Sequence, residues 1–197
     1  MKIIGLTGGI ASGKSTASQI LRELGAAVID TDKLAHRIME PEQPAWHDIV
    51  EHFGPEVLNQ DKTIDRAAMS AIVFRQPDRL ELLNRITHPR VFEMLRQELA
   101  HQEAQRPDGP VFIEAAILFE SGLDEMCDEV WVVWVDSDTQ IKRLMERNGF
   151  DREEAARRIA AQMPLDEKAR RAEVLIDNRG DLEQLRHRTE QAYRALI

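Results

Sequence analysis

Residues 8–15 read GGIASGKS and fit the pattern G-x-x-x-x-G-K-[ST] of a phosphate-binding loop. The pattern predicts that Gly8 and Gly13 adopt backbone conformations closed to residues with a Cβ atom, so that consecutive N–H groups point into one concavity. These groups would lie at the start of a helix, where unpaired donors and the helix dipole favour an anion. Lys14 would then reach the β- and γ-phosphates of a nucleoside triphosphate, and the Ser15 hydroxyl would complete a Mg²⁺ shell.

The flanking sequence supports this interpretation. Residues 2–7 form a short apolar run of the kind found in buried parallel strands. Apolar residues between Ser15 and Leu24 recur with helical spacing, and Gly25 stands where a glycine is expected after a helix. The alternative is a glycine-rich turn with a solvated Lys14. The strand–loop–helix context favours a nucleoside triphosphate site.

Length and composition narrow the class of protein. The 197 residues fit one α/β domain with room for an inserted helical part. No apolar run approaches the roughly 18 residues of a membrane span, and residues 1–7 form a strand rather than a signal peptide. Cys127 is the single cysteine, so no internal disulfide forms, and a packed thiol is favoured over a catalytic one. We expect a cytoplasmic protein without membrane contact.

The net charge of −9 argues against binding to nucleic acid through a broad basic surface. The charge is uneven, however, because residues 142–171 carry nine Lys and Arg against six Asp and Glu, which leaves −12 for the rest. A locally basic segment in an acidic chain is suited to a small polyanion such as ATP. The alternative is a solvated helical surface with i,i+4 ion pairs, which composition alone favours.

The strand candidates alternate with helical segments, which predicts an α/β fold with a parallel sheet and helices on both faces. Ligands of such sheets bind beyond the carboxyl ends of the strands, so residues that end a strand deserve more functional weight. The five candidates are Ile3 to Thr7, Ala27 to Asp30, Val111 to Ala115, Glu129 to Val135 and Val174 to Asp177.

Two helical segments interrupt this alternation. Residues 33–108 are long for a crossover and are punctuated by prolines, and residues 137–172 contain a break at Asn148, a capping pattern at Asp151 and a further start at Pro164. Small-molecule kinases have such excursions, of which one holds the acceptor and the other closes as a lid. We therefore expect a core of about 1–32, 109–136 and 173–197, an acceptor-binding insertion of about 33–108 and a lid of about 137–172.

Two carboxylates follow the second strand candidate. Asp30 and Asp32 are two residues apart, so in an extended chain they project to the same side. Phosphoryl transfer needs a group that orients the acceptor hydroxyl and takes its proton, or that holds Mg²⁺ through water. Asp32 is favoured for this role over Asp30. The alternative is that both residues cap the helix that starts near Lys33.

Arg143 and Arg147 are four residues apart and share one face of a predicted helix. Arginine neutralises the charge that spreads over the transferred phosphoryl group. Taken alone, two such arginines more often pair with neighbours such as Glu146 or Asp151. A role of these arginines in a lid is a serious alternative to surface pairing only because a phosphate-binding loop occurs earlier in the chain.

From residue 3 to about 190 the chain resembles the dephospho-coenzyme A kinase family. Its P-loop is followed in order by Asp30-Thr31-Asp32, Ile64-Asp65-Arg66, Val73-Phe74 and Leu83-Asn84-Arg85-Ile86-Thr87-His88-Pro89. Further matches are Leu118-Phe119-Glu120, Arg143-Leu144 with Arg147, Arg158 with Gln162, Lys168 with Ala169, and Asn178-Arg179-Gly180. The P-loop is generic, whereas the His88-Pro89 context and the series in the lid are specific to this family.

Two positions depart from the family pattern. Ala116 stands where the family usually has a proline before two apolar residues, and Ala172-Glu173 stands where Ala-Asp is frequent. These departures concern the local shape of the acceptor pocket.

The resemblance implies a P-loop kinase fold of three layers with a five-stranded parallel sheet, a helical acceptor-binding insertion and a helical lid, in a single domain of residues 1–197. It implies ATP- and Mg²⁺-dependent phosphorylation of the ribose 3′-hydroxyl of dephospho-coenzyme A, with no nucleic acid, membrane or obligate protein partner. The implied catalytic residues are Asp32 as base, Lys14 and Arg143. Implied ATP contacts are Ala11, Ser12, Gly13, Lys14, Ser15, Thr16, Arg143, Arg147 and Asn178. Ser15 would serve the metal, and Asp32, Arg66 and His88 the acceptor; in isolation, His88 before Pro89 is more typical of a helix entry.

Three other functions compete with this one. A nucleotide or nucleoside kinase would share the sheet, loop and lid. A regulatory GTPase is disfavoured, since the D-x-x-G match at Asp177 follows the last strand and no Asn-Lys-x-Asp motif occurs. A module that binds ATP without turnover is the third.

Overall fold

A computed structural model describes residues 1–73 and 75–197, so the Val73-Phe74 match is covered only at Val73, and Phe74 lies outside the described residues. The chain forms two compact units: residues Met1–Asp30 with His101–Ile197, and residues Thr31–Ala100. The second unit begins and ends slightly before the 33–108 boundaries expected for the insertion.

Strands and helices alternate as expected. The strands are β1 (Lys2–Gly8), β2 (Ala27–Asp30), β3 (Pro110–Glu114), β4 (Glu129–Trp134) and β5 (Val174–Asp177). The α-helices are α1 (Lys14–Glu23), α2 (Thr31–Ile38), α3 (Pro44–Phe53), α4 (Arg66–Val73), α5 (Pro77–Gln105), α6 (Ser137–Asn148), α7 (Arg152–Ala160), α8 (Leu165–Arg170) and α9 (Leu182–Leu196). Short 3-10 helices occupy Pro55–Val57 and Leu123–Met126.

The five strands form one sheet in the order β2-β3-β1-β4-β5, and every pair is parallel. All five strand predictions are confirmed to within one residue at each end. The strand β1 lies between β3 and β4, and the loop of residues 9–13 leaves its carboxyl end directly into α1. The α/β class and the position of the loop therefore follow from the alternation of strands and helices.

The core of the first unit lies between the sheet and two helices. Buried side chains of α1 and α9, such as Ile20 and Tyr193, pack with Ile4, Phe112 and Trp131 of the strands. The ring of Phe112 meets those of Trp131 and Tyr193 at centroid distances of 5.1 and 6.1 Å. Because one face of α1 is buried in this way, the residue that opens the helix is held at the edge of the sheet.

The segment 137–172 folds as three helices with the predicted breaks. Gly149 follows α6 with a φ of 70°, and the Asp151 carboxylate accepts a hydrogen bond from Glu154 N at 2.8 Å as the cap of α7. Pro164 directly precedes α8. The helix breaks that the sequence predicts in this segment are therefore confirmed.

The second unit contains α2, α3, α4 and most of α5, which confirms the helical character of this stretch. Its apolar residues are buried on several helices, among them Leu34, Ile49, Met69 and Leu95. In the described part of the chain, no helix combines the length and apolar character that a membrane crossing requires.

The alternative interpretation of His88 as a helix-entry residue is wrong. The sequence alone favoured a helix entry at His88, but α5 runs through both His88 and Pro89. Buried Ile86 and Val91 lie on either side of the proline. A proline removes one hydrogen bond from a helix interior, and side-chain packing on both sides of it offsets that loss.

Candidate active site

The glycines of the phosphate-binding loop are required for two different reasons. Gly13 has a φ of 95°, and a Cβ atom there would lie 2.1 Å from Asn178 Nδ2. Gly8 has no positive φ, so the prediction that it needs a special backbone conformation is wrong. A Cβ atom on Gly8 would instead lie 2.4 Å from Ser12 Oγ and 2.8 Å from the Val133 carbonyl oxygen. Close packing, not backbone strain, excludes a side chain at Gly8.

The open side of the loop carries hydrogen-bond donors. In the described residues, the backbone N–H groups of Gly13, Lys14 and Ser15 have no acceptor, while Gly13 O accepts from Thr16 N and Ala17 N. These three donors lie at the start of a ten-residue helix, where the helix dipole adds a partial positive charge. The loop is therefore built to bind an anion.

Lys14 forms an ion pair inside the protein. Its Nζ donates to Glu114 Oε1 at 2.8 Å, while Ser18 Oγ and Arg22 Nη2 donate to Glu114 Oε2 at 2.5 and 3.1 Å. Burial, the largest single effect, acts to raise the pKa of Glu114. The hydrogen bonds from Lys14, Ser18 and Arg22 and the charge of Lys14 together outweigh it, so the pKa lies below its usual value.

Glu114 is the site residue that the sequence analysis missed. It ends β3 and is 4% exposed, and it lies next to Lys14 although 100 residues separate the two in sequence. The sequence contains a feature that points to Glu114, because a charged residue ends an otherwise apolar strand. The rule that strand-ending residues carry functional weight identifies it when applied to β3.

Six of the predicted triphosphate and metal contacts, Ala11 to Thr16, lie in the phosphate-binding loop and the first turn of α1. Ser15 and Thr16 are exposed in the first turn of α1, whereas Ser12 is buried and its Oγ has no hydrogen-bond partner among the described residues. No group of three or more His, Cys, Asp or Glu in the described residues is placed to hold a metal. A single hydroxyl without a carboxylate cage suits Mg²⁺, which binds mainly through substrate phosphates and water.

Asn178 and Arg143 are tied to the loop. The side-chain Nδ2 of Asn178 donates to Ser12 O at 2.7 Å, so this amide supports the loop itself. Arg143 Nη2 donates to Asn178 O at 2.9 Å and to Gly180 O at 3.4 Å. The structure therefore links α6 to the phosphate-binding loop through the segment that follows β5.

Arg147 has a different environment from Arg143. Its side chain is exposed, and Nε donates to the side chain of the adjacent Asn148 at 2.8 Å. Much of the other positive charge in this segment is paired locally, as the alternative interpretation of a solvated surface requires. The pairs are Arg152–Asp138, Arg157–Glu154, Arg158–Glu154 and Arg171–Glu167.

A buried lysine fixes the end of the same segment. Lys168 is fully buried, and its Nζ donates to Ala116 O at 2.6 Å and lies 2.9 Å from Glu120 Oε1. The same Glu120 oxygen accepts a hydrogen bond from Met163 N at 3.0 Å. These contacts join α8 and the residue before Pro164 to the turn after β3.

The departure at Glu173 lies away from the carboxyl edge of the sheet. Its carboxylate accepts a hydrogen bond from Val130 N at 2.6 Å, just before β5 begins. At the other departure, the backbone carbonyl oxygen of Ala116 accepts a hydrogen bond from Lys168 Nζ.

The three predicted acceptor residues belong to the second unit and lie on different helices. Asp32 is exposed in the first turn of α2, which begins directly after β2, and Arg66 is exposed at the start of α4. His88 is half-buried on α5, its ring meets that of Phe92 edge-on at 6.5 Å, and burial lowers its pKa. Burial therefore favours the neutral form of the imidazole.

Known proteins resemble this chain over its whole length. A family model described as dephospho-CoA kinase matches residues 2–184. A dephospho-CoA kinase of Symbiobacterium thermophilum is 52% identical over 196 residues, 99% of this chain and 81% of that protein. A crystal structure of a Thermus thermophilus protein superposes with a TM-score of 0.84 at 36% identity and covers 100% of this chain and 97% of the other. A dephospho-CoA kinase from Campylobacter jejuni gives 0.74 at 28% identity, with 100% and 98% covered.

The parallel sheet, the loop after its central strand and the lysine at the start of α1 define a P-loop kinase. ATP-dependent phosphorylation is the general reaction of this class. Because the family model and the relative from Symbiobacterium thermophilum each match nearly the whole chain, the chain belongs to the dephospho-CoA kinase family within this class.

Proposed function

We propose that the protein transfers the γ-phosphoryl group of ATP to the ribose 3′-hydroxyl of dephospho-coenzyme A, the final step of coenzyme A synthesis. The observation that carries this proposal is the anion-binding loop at the start of α1, in a chain that matches the family over residues 2–184. The loop accounts for the phosphate donor, and the family membership supports the choice of acceptor.

In this proposal the loop orients the donor. The N–H groups of Gly13, Lys14 and Ser15 bind phosphate oxygens, and the Lys14 ammonium exchanges its contact with Glu114 for the β- and γ-phosphates. Glu114 keeps its hydrogen bonds from Ser18 and Arg22 during this exchange. The Ser15 hydroxyl holds Mg²⁺, which neutralises charge on the phosphates when bound.

Asp32 acts as the general base. Its carboxylate takes the proton of the 3′-hydroxyl as the ribose oxygen forms a bond to the γ-phosphorus and the bond to the β,γ-bridging oxygen breaks, with ADP leaving. Its exposed position in the first turn of α2 supports this role, because a base must reach substrate. Arg66 and His88 contact the acceptor.

Residues 137–172 act as the lid, residues 33–108 as the acceptor-binding insertion, and the remainder as the core of one kinase domain. Arg143 and Arg147 bind the phosphates when the lid closes and excludes water. Ala11, Ser12, Thr16 and Asn178 complete the ATP site. The charge of residues 142–171 supports this role, as does the exposure of Arg147. We place the enzyme in the cytoplasm, with ATP and dephospho-coenzyme A as its substrates.

A coupled assay for ADP release tests the proposed function. Dephospho-coenzyme A is the expected acceptor, and nucleoside monophosphates are the comparison. Transfer to a nucleoside monophosphate, without transfer to dephospho-coenzyme A, would show a nucleotide kinase instead. ATP binding without turnover on any acceptor would show a binding module.

A further inference from the structure

One residue of the phosphate-binding loop is held at both of its backbone polar groups by side-chain amides. Ile10 N donates to Gln162 Oε1 at 2.9 Å, and Ile10 O accepts from Gln140 Nε2 at 2.7 Å. Gln140 is 3% exposed and lies in the first turn of α6, whereas Gln162 follows α7. Along the chain, Gln140 lies 130 residues and Gln162 lies 152 residues after Ile10. These two contacts form an amide clamp on Ile10.

The neighbouring glycine also bears on the Gln140 side of the clamp. Gly9 occupies a position that the P-loop pattern leaves open, and it has no positive φ. A Cβ atom there would nevertheless lie 2.4 Å from Gln140 Nε2 and 3.5 Å from Leu165 Cδ2. The glycine at this open position is therefore explained by the close approach of the Gln140 amide.

Both glutamines are themselves held in place. The backbone N of Gln140 donates to Asp136 O, and the Asp136 side chain caps α6 through Thr139 N. Gln162 N donates to Ile159 O, and the next residue, Met163, donates its N–H to Glu120. These hydrogen bonds position Gln140 relative to the start of α6 and Gln162 relative to the turn after β3.

We propose that Gln140 and Gln162 are positioning residues for ATP, which hold Ile10 and so set the phosphate-binding loop in the shape that receives the triphosphate. The proposal rests on the proposed function, since it takes the loop to be the ATP site. Neutral amides suit this task, because they satisfy a donor and an acceptor without adding charge to the anion site. The clamp also ties both ends of the α6–α7 segment to a single loop residue.

Gln162 accepts a hydrogen bond from Ile10 N, whereas Gln140 donates one to Ile10 O, so the same change to glutamate tests the two contacts differently. In Gln162→Glu the new carboxylate still accepts a hydrogen bond from Ile10 N. In Gln140→Glu the donor is lost and a carboxylate faces the Ile10 carbonyl. Both variants add one negative charge beside the same residue, so a difference between them does not come from the added charge alone. Gln191→Glu, on the exposed surface of α9, controls for the change in net charge.

We expect Gln140→Glu to raise the KM for ATP about ten- to hundredfold. Gln162→Glu should raise it clearly less, and the KM for dephospho-coenzyme A should stay near the wild-type value in both. A merely structural role would lower thermal stability without this selective change. Equal values of the KM for ATP in the two variants would overturn the proposal.

A double-mutant cycle keeps the test valid if Gln140→Glu fails to fold. Gly9→Ala alone should raise the KM for ATP, because its Cβ meets the Gln140 amide. In the Gln140→Ala background the same change should add little, since the amide is gone. Additive effects would contradict the clamp. Lys14→Ala separates a failure of the proposed ATP site from a failure of the clamp. An active Lys14→Ala enzyme would refute the ATP site itself. An inactive Lys14→Ala enzyme, together with additive effects of the Gly9 and Gln140 substitutions, would refute only the clamp.

Discussion

The phosphate-binding loop and the helical unit of residues 31–100 carry the two halves of the proposed reaction, and their site residues are organised differently. The loop presents donors from three consecutive residues, and contacts from distant parts of the first unit hold it in place. The candidate acceptor residues Asp32, Arg66 and His88 lie instead on three separate helices. A phosphate site is thus built from one short motif, whereas an acceptor site depends on how several helices are arranged.

The largest expected effect tests the helical unit. Asp32→Asn keeps the shape of the side chain but cannot take a proton, so we expect kcat to fall about 10²–10⁴-fold with little change in either KM. Steady-state kinetics with both substrates measure this. Asp30→Asn is the matched control, two residues away at the end of β2. A nearly normal Asp32→Asn enzyme with an inactive Asp30→Asn enzyme would show that the base was assigned to the wrong carboxylate.

The next effect tests the loop. Lys14→Ala removes the ammonium that, in the proposed mechanism, neutralises the β- and γ-phosphates, and we expect kcat/KM for ATP to fall about 10²–10³-fold or more. Circular dichroism should show an intact fold. Lys2→Ala, an exposed lysine at the other end of β1, is the control. Activity of Lys14→Ala within about tenfold of wild type, roughly 1.4 kcal/mol, would refute the role of this lysine.

Arg143 and Arg147, both in the proposed lid, allow a comparison within the first unit. We expect Arg143→Ala to lower kcat and ATP affinity about ten- to hundredfold, because it removes both the proposed phosphate contact and the link to Asn178. Arg147→Ala should have a smaller effect, and Arg152→Ala, which loses a surface ion pair, almost none.

Hydrogen exchange of residues 137–172, with and without a bisubstrate analogue, tests the closure of this segment. We expect stronger protection when the analogue is bound. Equal protection in both states, together with unchanged kinetics of both arginine variants, would leave the segment as an ordinary helical surface.

The smallest effect concerns stability rather than transfer. Glu114→Gln leaves Lys14 and Arg22 without their charged partner, so we expect the free energy of unfolding to fall by about 1–3 kcal/mol at pH 7. Chemical denaturation measures it, and the exposed Glu103→Gln should change it by less than about 0.5 kcal/mol.

The pH dependence of this difference has a defined sign. The pKa of Glu114 is lowered on folding, so its contribution is present above the pKa of the unfolded chain, about 4.3, and is lost as the pH falls through the lower folded value. The gap between wild type and Glu114→Gln should therefore narrow below about pH 4.3. A gap that widens on acidification would contradict the lowered pKa.

Much of the core was predictable because its signals are local. The strand that precedes the loop, the helix that follows it and the breaks at Gly149 and Pro164 each depend on neighbouring residues. His88 was harder, because a proline in the sequence suggests a helix boundary while packing along α5 carries the helix through it. Glu114 was missed because its importance depends on Lys14, which lies 100 residues earlier.

The sequence by itself determined the phosphate-binding loop, the order of strands and helices and the family, because each is encoded in residue types at fixed spacing. Only the tertiary structure decided which groups hold the loop: Glu114 pairs with Lys14, Asn178 supports Ser12, and the two glutamines clamp Ile10. It also gave the reason for Gly8, which is packing against Ser12 and Val133 rather than an unusual backbone angle. The physical reason is that periodicity and spacing report local conformation, whereas these contacts join segments that the parallel sheet brings together.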